Sequence, residues 1–256
     1  MALPDQTFAV LGSFSFDGLD INSSRWSMET LDGWGSTGST SAATRLPRRS
    51  GALLSDGYAT ERTIALTGKV YAPNAAALDA SEDLLHAAVT YTDSQFTVFA
   101  PGKIRTVPAR RGGEVLFAKL TPTIATWSVQ LLAADWRRFG TASTYLNASG
   151  SAFTSNGNTV GLAVLKINGP RSGGITITHA PSGLALTLLS ALTISTGHFV
   201  TIDVNARTVQ NDTGDSLSVY IGTRNWVGFN PGANAWTLAS GSGAGTLDLT
   251  LTEAWR

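Results

Sequence analysis

Between residues 62 and 70 the chain alternates. Ile64, Leu66, Gly68 and Val70 fall on one side of an extended backbone, and Thr63, Thr67 and Lys69 on the other. A period of two predicts a strand with one buried face. The rhythm changes at Pro73-Asn74, a helix start signal. Leu78, Leu85 and Val89 then share one helical stripe, with the small residues Ser81 and Ala88 along it, which predicts a helix over residues 74–89. Strand patterns resume in QFTVFAPGKIRTV, EVLFAKL and IATWSVQLLAAD, with Pro101-Gly102 suited to a type II turn. In the last of these, Trp127, Val129 and Leu131 alternate with Ser128 and Gln130. Residues 1–60 read as loop-rich, with TFAVLG and RWSMETL the clearest strands and residues 33–44 an exposed Gly/Ser/Thr loop.

After Gly140 helical periodicity stops. Residues 141–159 read as polar and turn-rich. Short strand patterns follow: VGLAVLKIN, GITITH, GLALTLLS, HFVTIDV, RTVQ, SLSVYIG, AWTLA and GTLDLTLTEAW. Turn signals at Asn168-Gly169-Pro170, Pro181-Ser182-Gly183, residues 211–214 and Asn230-Pro231-Gly232 separate several of them. Regularly spaced short strands predict a β-sandwich or jelly roll. The expected organisation is therefore two domains, residues 1–140 with several strands and one helix, and residues 141–256 all β.

Composition narrows the chemistry. Of 256 residues only 14% are charged, and 27 are glycine, a balance that favours β structure. Formal net charge is zero, without the basic excess usual in nucleic-acid binders or polybasic membrane anchors. There is no cysteine, so disulfides, thiolate catalysis and cysteine-based metal sites are excluded. The N-terminal stretch MALPDQTFAVLGSF lacks a basic region and a long apolar run, so no secretory signal is expected. No stretch approaches the roughly 18 apolar residues of a membrane-spanning helix.

The ordered motifs resemble the phage distal tail proteins, the tail-tip ring components of long non-contractile-tailed phages. That family has a strand, a glycine, a strand and a Leu/Ala-rich helix, matched here by residues 62–89. Its first domain closes on a strand ending "v-L-A-x-D-P"; here residues 129–140 read VQLLAADWRRFG, with Trp136 where proline is usual. Asn156-Gly157-Asn158-Thr159, Ile167-Asn168-Gly169-Pro170, residues 197–203 and residues 207–209 follow in the family order. The "W-x-x-L-x-P-G-x-N" motif appears as residues 226–234, with Phe229 for leucine. The resemblance implies a mainly β fold, an N-terminal β-sandwich with one α-helix followed by a C-terminal galectin-like β-sandwich. It further implies a homohexameric ring at the virion tail tip, assembled in the host cytoplasm. Its partners would be the tail tube protein, the baseplate hub or a tail-associated protein, and the tape-measure protein. No enzymatic activity, cofactor or metal is implied.

Candidate contact residues follow from chemistry. Arginine pairs lie in or beside loops at Arg48-Arg49, Arg110-Arg111 and Arg137-Arg138. Arginine forks suit intersubunit carboxylates. The candidate intersubunit set is therefore Arg48, Arg49, Glu61, Arg62, Glu82, Asp83, Arg110 and Arg111. Asp135, Trp136, Arg137 and Arg138 form the candidate interdomain hinge, with Trp136 docked and the arginines facing solvent or a neighbour. Trp226, Phe229 and Trp236 are the candidate aromatics for a host sugar or another partner, the alternative being core packing. His86 is expected to pair with Glu82 one helical turn back. His179 and His198 are expected to be structural strand-end histidines. Asp203, Asn205 and residues 211–215 are expected to shape turns rather than a cation loop. No nucleophile elbow, zinc-protease or phosphate-loop motif is present.

Overall fold

The computed structural model describes residues 7–35, 38–41, 43–45, 50, 52–54 and 56–256. It is mainly β with one α-helix among the described residues. Contacts divide the chain into two compact units, Met1–Arg138 with Arg256, and Phe139–Trp255.

In the first unit an antiparallel sheet runs in the order Gly18–Leu19, Arg25–Asp32, Arg62–Tyr71, Ile124–Ala133, Lys103–Thr121. The strand patterns EVLFAKL and KIRTV, expected to be separate, form one long strand, Lys103–Thr121. Its first part pairs with Ser94–Ala100, which pairs with Phe8–Leu11 and through it with Phe14–Ser15. Its later part pairs with Ile124–Ala133, and the register shifts between Arg111 and Val115. Gly112-Gly113 lies in that shift; a Cβ on Gly112 would stand 3.0 Å from Leu131 and Leu132. A bulge of this kind bends a strand and lets it serve two sheets.

Alternation sorts the side chains as the pattern predicts. Ile64, Leu66 and Val70 are buried with Trp127, Val129 and Leu131 in a core that also holds Phe14, Phe16, Trp26 and Phe96. Gly68 faces that core because nothing larger fits. A Cβ there would come within 2.6 Å of the Trp127 ring and would collide with the Ser27 carbonyl.

The helix spans Ala75–Ala88, one residue inside the expected bounds at each end. Asn74 caps it, its side chain accepting a hydrogen bond from Ala77 N–H at 2.9 Å. Leu78, Ser81 and Leu85 form its buried face. Ser81 Oγ lies 2.9 Å from Asp20 Oδ2, and Asp20 also accepts from Ser24 N–H and Trp26 Nε1–H. This network secures the helix to the segment before Arg25–Asp32 and satisfies the buried hydroxyl.

The second unit is a β-sandwich. One antiparallel sheet runs Thr208–Asn211, Phe199–Asp203, Thr159–Asn168, Leu247–Trp255, Ser143–Tyr145. The other runs Ala152–Ser155, Gly232–Ser242, Ser172–His179, Leu184–Leu188, Ile221–Arg224. Both contribute to a single core containing Leu165, Ile167, Ile177, Leu186, Val200, Ile202 and Leu249. Two strands, Ser143–Tyr145 and Ala152–Ser155, occupy the stretch expected to be turns; each pairs on one side only, and Ser143–Tyr145 is exposed at every position. The expected strand SLSVYIG is instead a 3-10 turn, Ser218–Tyr220, leading into Ile221–Arg224. Leu217, Tyr220 and Ile221 all rest against the core, a spacing that a helical turn satisfies and a strand does not.

Candidate functional site

The sequence-derived arginine set separates sharply by environment. Arg62 is fully buried. It occupies the same alternation phase as Ile64, Leu66 and Val70, so its strand directs it inward. The guanidinium donates from Nη1 to the carbonyls of Gly33 (2.9 Å) and Trp34 (2.7 Å), and from Nε and Nη2 to the Trp136 carbonyl (3.2 and 2.7 Å). Burial lowers its pKa, partly offset by Asp135. Arg62 is therefore a clamp within the first unit, not a surface contact.

The proposed hinge is equally structured. Arg137 is half-buried and forms an ion pair with Asp135, Nη2 to Oδ2 at 2.7 Å. Arg138, expected on the surface, is buried. It donates to the Arg256 backbone oxygen and lies 5.6 Å from the centroid of the Trp34 ring. Burial, then Arg62 and Arg105, push its pKa down to about 10. Trp136 is half-exposed, with Arg256 stacked 5.8 Å from its ring centroid.

Surface candidates fall elsewhere. Glu61 and Asp83 are exposed. Arg110 is exposed and engages Asp93 through two hydrogen bonds of 2.9 and 3.0 Å. Arg111 is half-buried, donating to the Gly113 carbonyl and lying over the Tyr91 ring. Glu82 pairs with Lys119 at 3.0 Å rather than with His86. Arg48 and Arg49 lie outside the described residues. Not expected from the sequence is an open apolar groove of about 510 Å³ between the helix residues Leu84, Ala87 and Ala88 and residues 13–15 and 19–21. Leu19 and Ile21 beside it are 73% and 88% exposed, a degree of exposure that marks them as contact candidates. The available signal was two apolar residues inside the turn-like segment DGLDIN.

In the second unit the aromatic candidates are core. Trp236 and Phe229 are buried, and Trp226 is partly buried against the same cluster. Trp236 packs against His179, ring centroids 5.0 Å apart. His179 Nε2 lies 3.1 Å from Asn234 Oδ1 and Nδ1 lies 2.9 Å from Ser182 Oγ. Asn234 Nδ2 donates to the carbonyls of Asn230 and Gly232, while Oδ1 accepts from Asn230 N–H. Because its amide orientation is set by those bonds, Oδ1 requires a donor, which fixes the proton on His179 Nε2. Burial holds the His179 pKa below its ordinary value. Residues 211–215 form the expected turn, Asn211 Oδ1 accepting from the backbone of Thr213 and Asp215. His198 Nδ1 lies 2.6 Å from Asp212 Oδ2. Among the described residues no group of three or more His, Asp or Glu converges as a metal site.

No family model and no curated protein matches the chain. Solved structures do. The Dit protein of phage SPP1, described as a paradigm of the hub adsorption apparatus in phages infecting Gram-positive bacteria, superposes with a TM-score of 0.74 at 10% identity, over 96% of this chain and 98% of that one. Chains of the phage p2 baseplate in its activated conformation, with Ca and with Sr, each superpose with a TM-score of 0.54 at 6% and 8% identity, over 96% of this chain and 97% and 98% of theirs. The fold, through both units, is therefore one found in phage hub and baseplate proteins.

Proposed function

We propose that the chain is a structural component of a phage tail tip, a distal tail protein that closes a homohexameric ring between the tail tube and the baseplate hub. The observation that carries this reading is the end-to-end likeness to the SPP1 hub protein, 96% of this chain against 98% of that one. A match confined to one sandwich would be compatible with many functions; a match through both units in order is much more restrictive. On this reading residues 1–140 form the ring, and residues 141–256 are the galectin-like domain. Glu61, Asp83 and Arg110, with Arg48 and Arg49, are the charged candidates for ring contacts, and the groove beside Leu19 and Ile21 is an apolar one. Ring closure would cover surface that otherwise invites uncontrolled association.

Carbohydrate recognition through Trp226, Phe229 and Trp236 is the weaker reading, since Phe229 and Trp236 offer no face to a ligand. Light scattering on the purified chain tests the ring. Six copies of the 26.8 kDa chain amount to about 161 kDa. A species of that mass is expected, and a strict monomer at high concentration counts against self-assembly of the free protein.

A further inference from the structure

His179 stands where two ladders of the second unit end. It is the last residue of Ser172–His179, opposite Leu184 on one side and Trp236 on the other. Two turns meet there, Pro181-Ser182-Gly183 and Asn230-Pro231-Gly232, and the imidazole joins them through Ser182 and Asn234. Asn234 holds the second turn by three bonds to Asn230 and Gly232, and its Oδ1 also meets His179. The His179 carbonyl holds the first turn, accepting from the N–H groups of Ser182 and Gly183. Beyond His179 the start of Gly232–Ser242 keeps one ladder, with the edge strand Ala152–Ser155, and a bond from Ala180 N–H to the Ala235 carbonyl.

The ring is fully satisfied as neutral imidazole. With the proton on Nε2 for Asn234, Nδ1 accepts from the Ser182 hydroxyl. A second ring proton reverses that bond. Ser182 Oγ must then accept, although it already accepts from Leu184 N–H at 3.3 Å, and its own hydrogen is left with the His179 carbonyl at 3.4 Å. The new charge has no ionic partner. Leu165, Leu184, Val204, Asn225, Val227 and Trp236 line a small cavity with the ring, and none of the described residues that line it or bond the ring is otherwise titratable or charged. The cavity, about 10 Å³, has room for at most one water. The Trp236 face, 5.0 Å away, offsets part of the cost of a buried cation. Burial remains the largest influence on the ring.

We propose that His179 is an acid-sensitive latch: taking up a second ring proton releases the two turns together, while the central strands of the sandwich stay paired. In the opened form the imidazole is exposed and titrates near its ordinary value of about 6.5. The closed form resists the proton, so opening is linked to proton uptake and increases as pH falls below that value. Opening uncovers the face of Trp236 that His179 covers. The proposal stands independently of ring formation.

Hydrogen–deuterium exchange on the full chain, corrected for the intrinsic pH dependence of exchange, tests it together with NMR titration of the His179 ring. Protection of peptides covering residues 180–184 and 229–232 should fall by up to about tenfold between pH 7.5 and 5.5, one proton being taken up per opening. Thr159–Asn168, paired on both sides, should stay protected over the same exchange times. His179→Gln should abolish the pH dependence of the turn peptides. If that variant does not fold, the wild-type ring titration decides: His179 should stay neutral, with its proton on Nε2, until the turn amides begin to exchange. The latch is overturned if turn protection changes less than about twofold over this pH range, against the tenfold that full linkage gives. It is equally overturned if the turns exchange only in step with Thr159–Asn168, if the pH dependence survives in His179→Gln, or if His179 becomes charged while the turns stay protected.

Discussion

Replacing Arg62 with methionine keeps most of the side-chain length and removes the guanidinium. The carbonyls of Gly33, Trp34 and Trp136 then lose four donor contacts in a part-buried setting. Leaving a buried acceptor unpaired costs about 1–3 kcal/mol, so three carbonyls amount to roughly 3–9 kcal/mol before compensation. Removing a desolvated charge offsets part of that, as does the release of repulsion with Arg138, whose pKa Arg62 depresses. A net loss of about 3–4 kcal/mol is expected, a large fraction of the total stability of an ordinary domain. Arg62→Lys should also destabilise, because a point ammonium cannot span three carbonyls on two segments. Urea unfolding followed by tryptophan fluorescence measures both. A loss under about 1 kcal/mol for Arg62→Met would mean that the clamp is incidental.

His179 makes stability depend on pH. Its folded-state pKa lies below the unfolded value, so the unfolded chain binds more protons as pH falls, and stability present above about pH 6.5 is lost below it. The Tm should drop on acidification from pH 7 toward 5, and His179→Gln should flatten that slope; an unchanged slope in the variant assigns it to other groups. Gly68→Ala should lower stability by about 3 kcal/mol in thermal melts, because the new Cβ meets Trp127 and the Ser27 carbonyl. Asn74→Ala removes the helix cap and should cost about 1 kcal/mol by urea denaturation, with the helical circular dichroism retained.

Much of the fold was legible because period and burial coincide. The helix at Ala75–Ala88 follows from Asn74 and the Leu78, Leu85 stripe, and the alternation of Arg62–Tyr71 and Ile124–Ala133 names their inner faces. Edge strands were not legible: Ser143–Tyr145 is exposed at every position, so nothing distinguishes it from a polar loop. Arg62 was misread for a different reason. Charge suggested surface, although its phase with Ile64 and Leu66 placed it inside; phase won because three carbonyls were available to replace its water. Trp236 likewise shares the buried phase of its strand with Asn234. The Pro231-Gly232-Ala233-Asn234 motif has a physical cause that spacing alone conceals: Asn234 bonds back to Asn230 and Gly232 and meets His179.

The tail-tip assignment is tested most directly by locating the chain on a particle. If the proposed function holds, antibody raised against the purified protein, with gold-conjugated secondary antibody, would be applied to phage particles released by cells that carry the gene and viewed by negative-stain electron microscopy. Gold confined to the end of the tail distal to the head is the expected result. Label along the whole tube, on the head, or absent from virions that denaturing immunoblots show to lack the chain would contradict it.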